Sequence, residues 1–492
     1  MSSHRQIFKS TAIVGGAQVA SIAIGVIRNK ALALMLGPVG IGLSGTYLTA
    51  AGMIGGVTGL GLGPSGVRQI AEASATNDPA RIARTVVALR RASLVSGILG
   101  MVIGLALCLP LSHSTFGDAT HVFDLALMSL TILLGAISAG QWALLQGLRR
   151  LGDLAKSQVW GAFWGMLGSV AIVYFLRDHG IAPYLVLSAL LTLVLSWWYA
   201  RKVQVQELRL SWAETFSEAR GLMTLGVAFV LQNLLLGASG YLSRVLIIKE
   251  LGLGAVGLYT ATWTLSSYYV GMVLKAMGTD FYPRLTAVAN DHVTMNRLVN
   301  DQIEMGLLIV TPGVLAILAL APWALHFFYS GGFVAGTEII RWQVLGVFVQ
   351  VFSWPAGYIL IAKGRRRLFV ISEIVNAVGG VGFLFVGMGL WRLDGIGIAF
   401  FWAAVTSAAY LFIAVRSLTG FAFVPRCAQV VALSCMVVSL AFLCAKHLPA
   451  QWQLCVGLLL ASAAAMTCLL VLQRLLGVNA LQLLRSRLSS RG

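Results

Sequence analysis

Residues 10–36 read STAIVGGAQVASIAIGVIRNKALALML; after Gly37-Pro38-Val39-Gly40 the chain resumes as IGLSGTYLTAAGMIGGVTGLGLG over 41–63. At 1.5 Å rise per residue, each run is long enough to cross a hydrocarbon core roughly 30 Å thick. Lipid offers a backbone no hydrogen bonds, so a spanning segment must satisfy its own, as a helix does. The Gly-Pro connection is short and turns the chain back. The stretch therefore predicts a helical hairpin with both arms in the membrane. Two cations, Arg28 and Lys30, interrupt its first arm.

The same pattern continues outward. The chain has 492 residues, of which 58% are hydrophobic and 11% charged; a soluble domain carries about 25% charged residues. Apolar runs predict helices near 10–36, 41–63, 85–110, 121–146, 152–176, 181–200, 220–249 and 254–279, then 300–320, 338–362, 367–391, 395–415, 428–445 and 453–474. The fold class is all-α: a polytopic membrane protein of about 14 transmembrane helices. The N-terminal MSSHRQIFKS leads to no small-residue cleavage site, so the first helix reads as a permanent span. Six cysteines sit mostly inside apolar runs as small hydrophobes, with a Cys444–Cys455 pair at the outer face the one disulfide to consider.

Of the 35 Lys and Arg, 26 fall in alternate segments that begin with Arg5 and Lys9, continue through Arg149, Arg150, Arg201, Lys202, Lys363 and Arg365, and end in the tail. The opposite loops hold Arg177, Arg341, Arg392 and Lys446. The positive-inside rule then places both termini in the cytoplasm. It also accounts for the net charge of +18 without nucleic acid. The outer loops are short, the longest spanning about 321–337, which leaves no outer domain for a polymerase or membrane glycosyltransferase. The seven His are scattered, no cofactor or metal site is expected, and no Walker-type phosphate loop provides for ATP. The fuel is expected to be the membrane potential or an ion gradient.

One motif recurs. Leu36-Gly37-Pro38-Val39-Gly40-Ile41-Gly42-Leu43 has a counterpart 215 residues later in Leu251-Gly252-Leu253-Gly254-Ala255-Val256-Gly257-Leu258. Arg28 has Arg244, and Arg68 has Arg284, at a nearly identical offset. Six helices separate the copies, so orientation is preserved. Two parallel six-helix lobes are expected, 1–210 and 211–420, with 421–492 adding two helices and a cytoplasmic tail.

The loop 37–43 resembles the opening signature of Wzx-type polysaccharide flippases of the multidrug/oligosaccharidyl-lipid/polysaccharide exporter superfamily. Arg341-Trp342-Gln343-Val344-Leu345-Gly346, Gly357–Lys363 and Arg367–Glu373 resemble the tenth and eleventh helices of the enterobacterial-common-antigen and O-antigen flippases. The resemblance covers about residues 5–420. It implies a V-shaped central cavity with a cationic lumen, a polyprenyl-diphosphate-linked oligosaccharide as substrate, alternating access, and membrane lipids and a polysaccharide polymerase or assembly proteins as partners. A lipid II flippase and a drug exporter are the alternatives on the same fold, and a scaffold in a synthesis complex is the alternative in kind.

Charged groups deep in a bilayer cost at least about 2.5–3.5 kcal/mol each, so each needs a reason. Arg28 lies eight residues from the outer end of its helix. It and Arg244 have few acids near them in sequence, and a guanidinium suits a diphosphate. An internal ion pair is the plainer reading. Lys275 is a third phosphate candidate, with a salt bridge to Asp280 as its alternative. Glu373 is a coupling candidate, or else a partner for the Lys363–Arg367 cluster. Gln141, Trp142, Gln146, Tyr241, Trp263 and Gln343 are candidates for the sugar, though Trp and Tyr also form interfacial belts. Asp153 and Lys156 read as a helix-start ion pair.

Overall fold

A computed structural model describes residues 3–476, apart from 77, 207 and 209. The tail at 477–492, with Arg485, Arg487 and Arg491, lies outside the described residues, as do the side chains of Arg5, Lys9, Arg220 and Arg474.

The chain forms fourteen helices in the described residues: α1 (Ser3–Thr58), α2 (Leu62–Ala75), α3 (Pro79–Phe116), α4 (Val122–Gly147), α5 (Leu151–Leu176), α6 (Ile181–Ala200), α7 (Trp212–Leu251), α8 (Leu253–Ala287), α9 (His292–Phe328), α10 (Thr337–Ala362), α11 (Arg366–Trp391), α12 (Gly395–Thr419), α13 (Pro425–His447) and α14 (Ala450–Leu476). Eleven stretches among the described residues are long and apolar enough to cross a membrane. Two of them contain a break. The first is broken at Gly37, which divides α1 into two arms, and Leu151–Ala200 is broken by a 3-10 turn at Arg177–Gly180. The sequence-predicted spans fall on these helices, although α8, expected to span over 254–279, is not among the eleven stretches. The exposed faces are apolar along their length, with Leu99, Val102 and Leu105 on α3 and Trp160 and Trp164 on α5, as lipid-facing surfaces must be.

One helix was not expected. Leu62–Ala75 falls in what reads as a cytoplasmic loop, and it is too short to span. It buries Leu62, Ile70 and Ala73 while Arg68 pairs with Glu72 (2.7 Å) on its exposed side. Its apolar face joins Val86, Leu89, Ala143, Leu144 and Ala200 in one core cluster.

The chain divides into two compact units: residues 1–260 with 326–333, and 261–325 with 334–492. In the first, α3 packs on α4, α5 on α6, α4 on α6, and α7 along α1 and α3. Association in lipid relies on close packing rather than the hydrophobic effect, so small residues occupy the seams. Gly97, Gly100 and Gly104 line one side of α3, and side chains there would meet Ala136, Ile132 and Ser129 of α4. In the second unit α12 packs against both α10 and α11, and α13 against α14.

The turns repeat at the 215-residue spacing. Gly37 (φ 63°) and Gly252 (φ 84°) are both left-handed, where a Cβ is costly. Arg149 (φ 57°) corresponds to Gly364 (φ 64°), and Arg177 (φ 53°) to Arg392 (φ 49°).

Candidate functional site

A cavity of about 630 Å³ opens within the first unit. Its walls are the second arm of α1 (Ala51, Gly52, Gly55, Gly56), α3 (Ser93, Ser96), α4 (Thr131, Gly135, Ser138, Gly140) and α6 (Ser188, Thr192), with Asn233 of α7 on one side. Residues without bulk keep the space open. Asn233 reaches toward the Gly56 carbonyl (3.5 Å). Many of the hydroxyls donate to their own helix: Ser138 to Leu134 (2.8 Å), Ser188 to Tyr184 (2.8 Å), Thr192 to Ser188 (2.8 Å) and Thr131 to Met128 (2.6 Å). That satisfies the donor and leaves oxygen lone pairs free, so these walls suit a ligand rich in O–H donors.

Arg28 enters this cavity from the first arm of α1, and it is the sole charged residue among the described lining residues. It stands nine residues before the Gly37 break, so about 13 Å along the helix. Its Nε is buried without a hydrogen-bond partner, and the guanidinium forms no ion pair among the described residues. The internal ion pair is therefore not what the structure contains. Arg28 is half-buried and no carboxylate is among the described lining residues to neutralise it, which suits an anionic ligand.

Arg244 on α7 is similarly unpaired. Its Nη1 donates to the Gly240 carbonyl (3.1 Å), its guanidinium lies over Tyr259 (5.3 Å), and its Nε is buried without a partner. It does not line the Arg28 cavity, and α7 packs within the same unit as α1. Lys30 points elsewhere and donates to the His326 carbonyl (2.9 Å) at the end of α9, where a cation complements the helix dipole.

The remaining candidates are dispersed. Gln141 is nine-tenths buried, accepts from Ser196 (2.6 Å), and lines a different pocket. Tyr241 is hydrogen-bonded to Thr115, and Gln146 is exposed. The Nε1 of Trp142 is buried without a partner. In the second unit, Trp263 packs edge-on against Phe400 (4.9 Å), and Gln343 is fully buried with both amide atoms unpartnered. Lys275 is exposed; Asp280 pairs with Arg284 (3.2 Å) instead. Glu373 has no ion pair among the described residues, although Lys363 meets His292 (2.6 Å). Asp153 pairs with Arg150 (2.7 Å) rather than Lys156. Arg341, read as an outer-loop residue, lies inside α10 and is buried against Glu338 and Gln453. Cys444 and Cys455 are free thiols.

Two features escaped the sequence reading. The hydroxyl lining of the cavity is one; its trace is the run of small residues in Gly52–Gly59 and Gly135–Gly140. The other is a part-buried polar cluster at the start of α4. There the Tyr47 hydroxyl donates to Asp124 (2.8 Å) and lies 2.7 Å from His121 Nδ1, with the Phe116 ring tilted against His121.

The repeated turns also meet one another within the first unit. A Cβ on Gly42 would lie 2.5 Å from the Leu253 carbonyl, and one on Gly257 would strike the Pro38 carbonyl. Leu253 and Pro38 are themselves counterparts in the 215-residue repeat, so the contact is self-complementary. One on Gly45 would lie 3.5 Å from Cβ of its own counterpart, Thr260.

A family model described as polysaccharide biosynthesis protein matches residues 7–289, more than half of the chain. The chain belongs to this family. Among curated relatives, this family member is 22% identical to the lipid III flippases of Escherichia coli K12 and Shigella flexneri over 379 residues, 74% of this chain and 88% of theirs. Its fold is similar to that of a solved structure of the lipid II flippase MurJ, itself in an inward closed conformation (TM-score 0.66, 14% identity, 94% of this chain and 99% of that one). It is also similar to an inward-facing multidrug resistance MATE transporter of the MOP superfamily (TM-score 0.64, 17% identity, 77% and 94%).

Proposed function

We propose that this protein flips a polyprenyl-diphosphate-linked oligosaccharide across the bacterial inner membrane by alternating access, as a transporter rather than an enzyme. The observation that carries the reading is Arg28: an unpaired guanidinium in a membrane cavity with no carboxylate and many hydroxyls and glycines among its described lining residues. A guanidinium offers a diphosphate two parallel donors, while the hydroxyl walls match sugar. The lipid III flippases, similar over most of the chain, support the substrate class. An exporter of cationic drugs on the same fold would be poorly served by an unneutralised arginine. A lipid II flippase remains the second reading, favoured by the fold likeness to MurJ.

Further parts of the proposal follow. Both termini are cytoplasmic, on the loop asymmetry. The matched left-handed turns at Gly37 and Gly252, Arg149 and Gly364, and Arg177 and Arg392 support two six-helix halves, 1–210 and 211–420. Arg244 and Lys275 serve as additional phosphate contacts at other points of the cycle, and Glu373 as the coupling carboxylate. A polysaccharide polymerase is the partner on the outer side.

The test is polysaccharide export in cells at matched protein levels. Charge-assisted hydrogen bonds contribute about 1.5–3 kcal/mol each, so Arg28→Ala should weaken binding roughly tenfold to a hundredfold and block export. Arg28→Lys keeps the charge without the fork and should retain part of the activity. Normal export in Arg28→Ala would remove the arginine from the mechanism. Comparing oligosaccharide-linked lipid with lipid II in reconstituted vesicles separates the two substrate readings.

A further inference from the structure

A second cavity of about 470 Å³ lies in the first unit, at the end of the bundle where α6 finishes. Arg90 of α3 and Arg201, the residue after α6, both line it, together with Gln141 of α4 and Trp197 of α6. No carboxylate is among the described lining residues, and neither guanidinium has an ion-pair partner among the described residues. Arg201 is not loose: its guanidinium stacks on Trp198 at 3.7 Å and on Trp197 at 5.0 Å. Stacking holds the plane of the fork while leaving its N–H edges free. The Gln141 side chain is nine-tenths buried, and its Oε1 is taken by Ser196 (2.6 Å), so its amide N–H is the end available to a ligand.

The rim says which ligand. Leu94, Trp197 and Trp198 are large, exposed and apolar, the surface a helix presents to acyl chains and to the interfacial layer. Other contacts brace this end. Arg150 donates to the Lys202 carbonyl (2.9 Å), and Arg91 donates to Leu210 and Thr215 (both 2.8 Å), tying down the segment that follows Arg201. Basic pockets between helices at the headgroup level are suited to anionic lipid.

We propose that Arg90, Arg201 and the Gln141 amide form a binding site for the phosphate of an anionic glycerophospholipid, whose acyl chains run along Leu94 and the tryptophans. This site is separate from the Arg28 cavity and does not depend on the flippase reading. A phosphate could also be presented by a polyprenyl diphosphate, and the experiment distinguishes the two.

Full-length protein purified in neutral detergent is titrated separately with phosphatidylglycerol, phosphatidylcholine and undecaprenyl diphosphate. Bound lipid is counted by native mass spectrometry, and thermal unfolding is followed in parallel. Phosphatidylglycerol should bind and raise the unfolding midpoint, and phosphatidylcholine should not. The Arg90→Gln/Arg201→Gln double variant should lose at least about tenfold in phosphatidylglycerol affinity, since two charge-assisted contacts go. Arg90→Lys/Arg201→Lys should lose less, because the charge survives and only the planar fork is gone. Arg28→Ala should leave phosphatidylglycerol binding unchanged. Equal binding of phosphatidylcholine, or unchanged binding in the double glutamine variant, overturns the proposal. So does dependence on both arginines seen with undecaprenyl diphosphate alone.

Discussion

Replacing Gly257 by alanine tests whether the two glycine turns touch. A Cβ there would run into the Pro38 carbonyl, and the obstacle is backbone, with no rotamer to yield. Inserting a methylene into a filled site typically costs about 1–3 kcal/mol. Alanine returns up to about 1 kcal/mol because it prefers a helix, leaving a net loss of roughly 1–2 kcal/mol. Gly254, three residues earlier on α8, has nothing within 4 Å of its would-be Cβ and no left-handed φ. The same substitution there should therefore be neutral or slightly stabilising. The assay is thermal unfolding of both variants and the parent in one detergent, read by fluorescence and by loss of monodisperse protein. Gly257→Ala should unfold below the parent and Gly254→Ala at or above it. A loss of that size also shifts a two-state equilibrium about 5–30-fold, so export should fall if the touching turns belong to one working state. Identical midpoints for the two variants would refute the packing argument.

Other outcomes follow from the same geometry. In a variant free of native cysteines, Gly45→Cys with Thr260→Cys should crosslink under a membrane-permeant oxidant, because their Cβ positions lie 3.5 Å apart, within the usual disulfide range. Export should stop and return with reductant, and undiminished export by the crosslinked protein would show that the turns need not part. At the start of α7, outside the apolar span, the backbone N–H of Ser211 and then its hydroxyl hold the Glu214 carboxyl below its ordinary range. This contribution is full above the ordinary glutamate value and is lost as pH falls through it toward the lower native one. Amide exchange around Ser211–Thr215 should accelerate there in the parent and show no such step in Glu214→Ala. A topology reporter fused after Thr115 should be active outside and one after Ala75 only inside; the reverse pattern overturns the orientation.

Several parts of this protein were legible without coordinates. Long apolar runs mark the spans because lipid rejects any other backbone arrangement, and the Gly-Pro turn after Leu36 marks the break in α1. Arg28 stands out because a charge in such a run is expensive wherever the helix points. The glycine motif at 36–43 and 251–258 was visible as a repeat, since a left-handed turn and a close approach each demand glycine. The short helix Leu62–Ala75 does not stand out in the sequence because, at 14 residues, it is too short to span. What only the tertiary structure decided is which residues share a space. Each residue turns a helix by about 100°, and in a uniformly apolar segment no polar stripe shows which way a side chain points. Gln141, one residue after Gly140, therefore lines the pocket of Arg90 and Arg201 and not the Arg28 cavity, while Ser93, Ser138 and Ser188, unremarkable in the sequence, line the cavity that Arg28 enters. That rotation is set by the packing of small residues between helices, a property of pairs of segments distant in the chain.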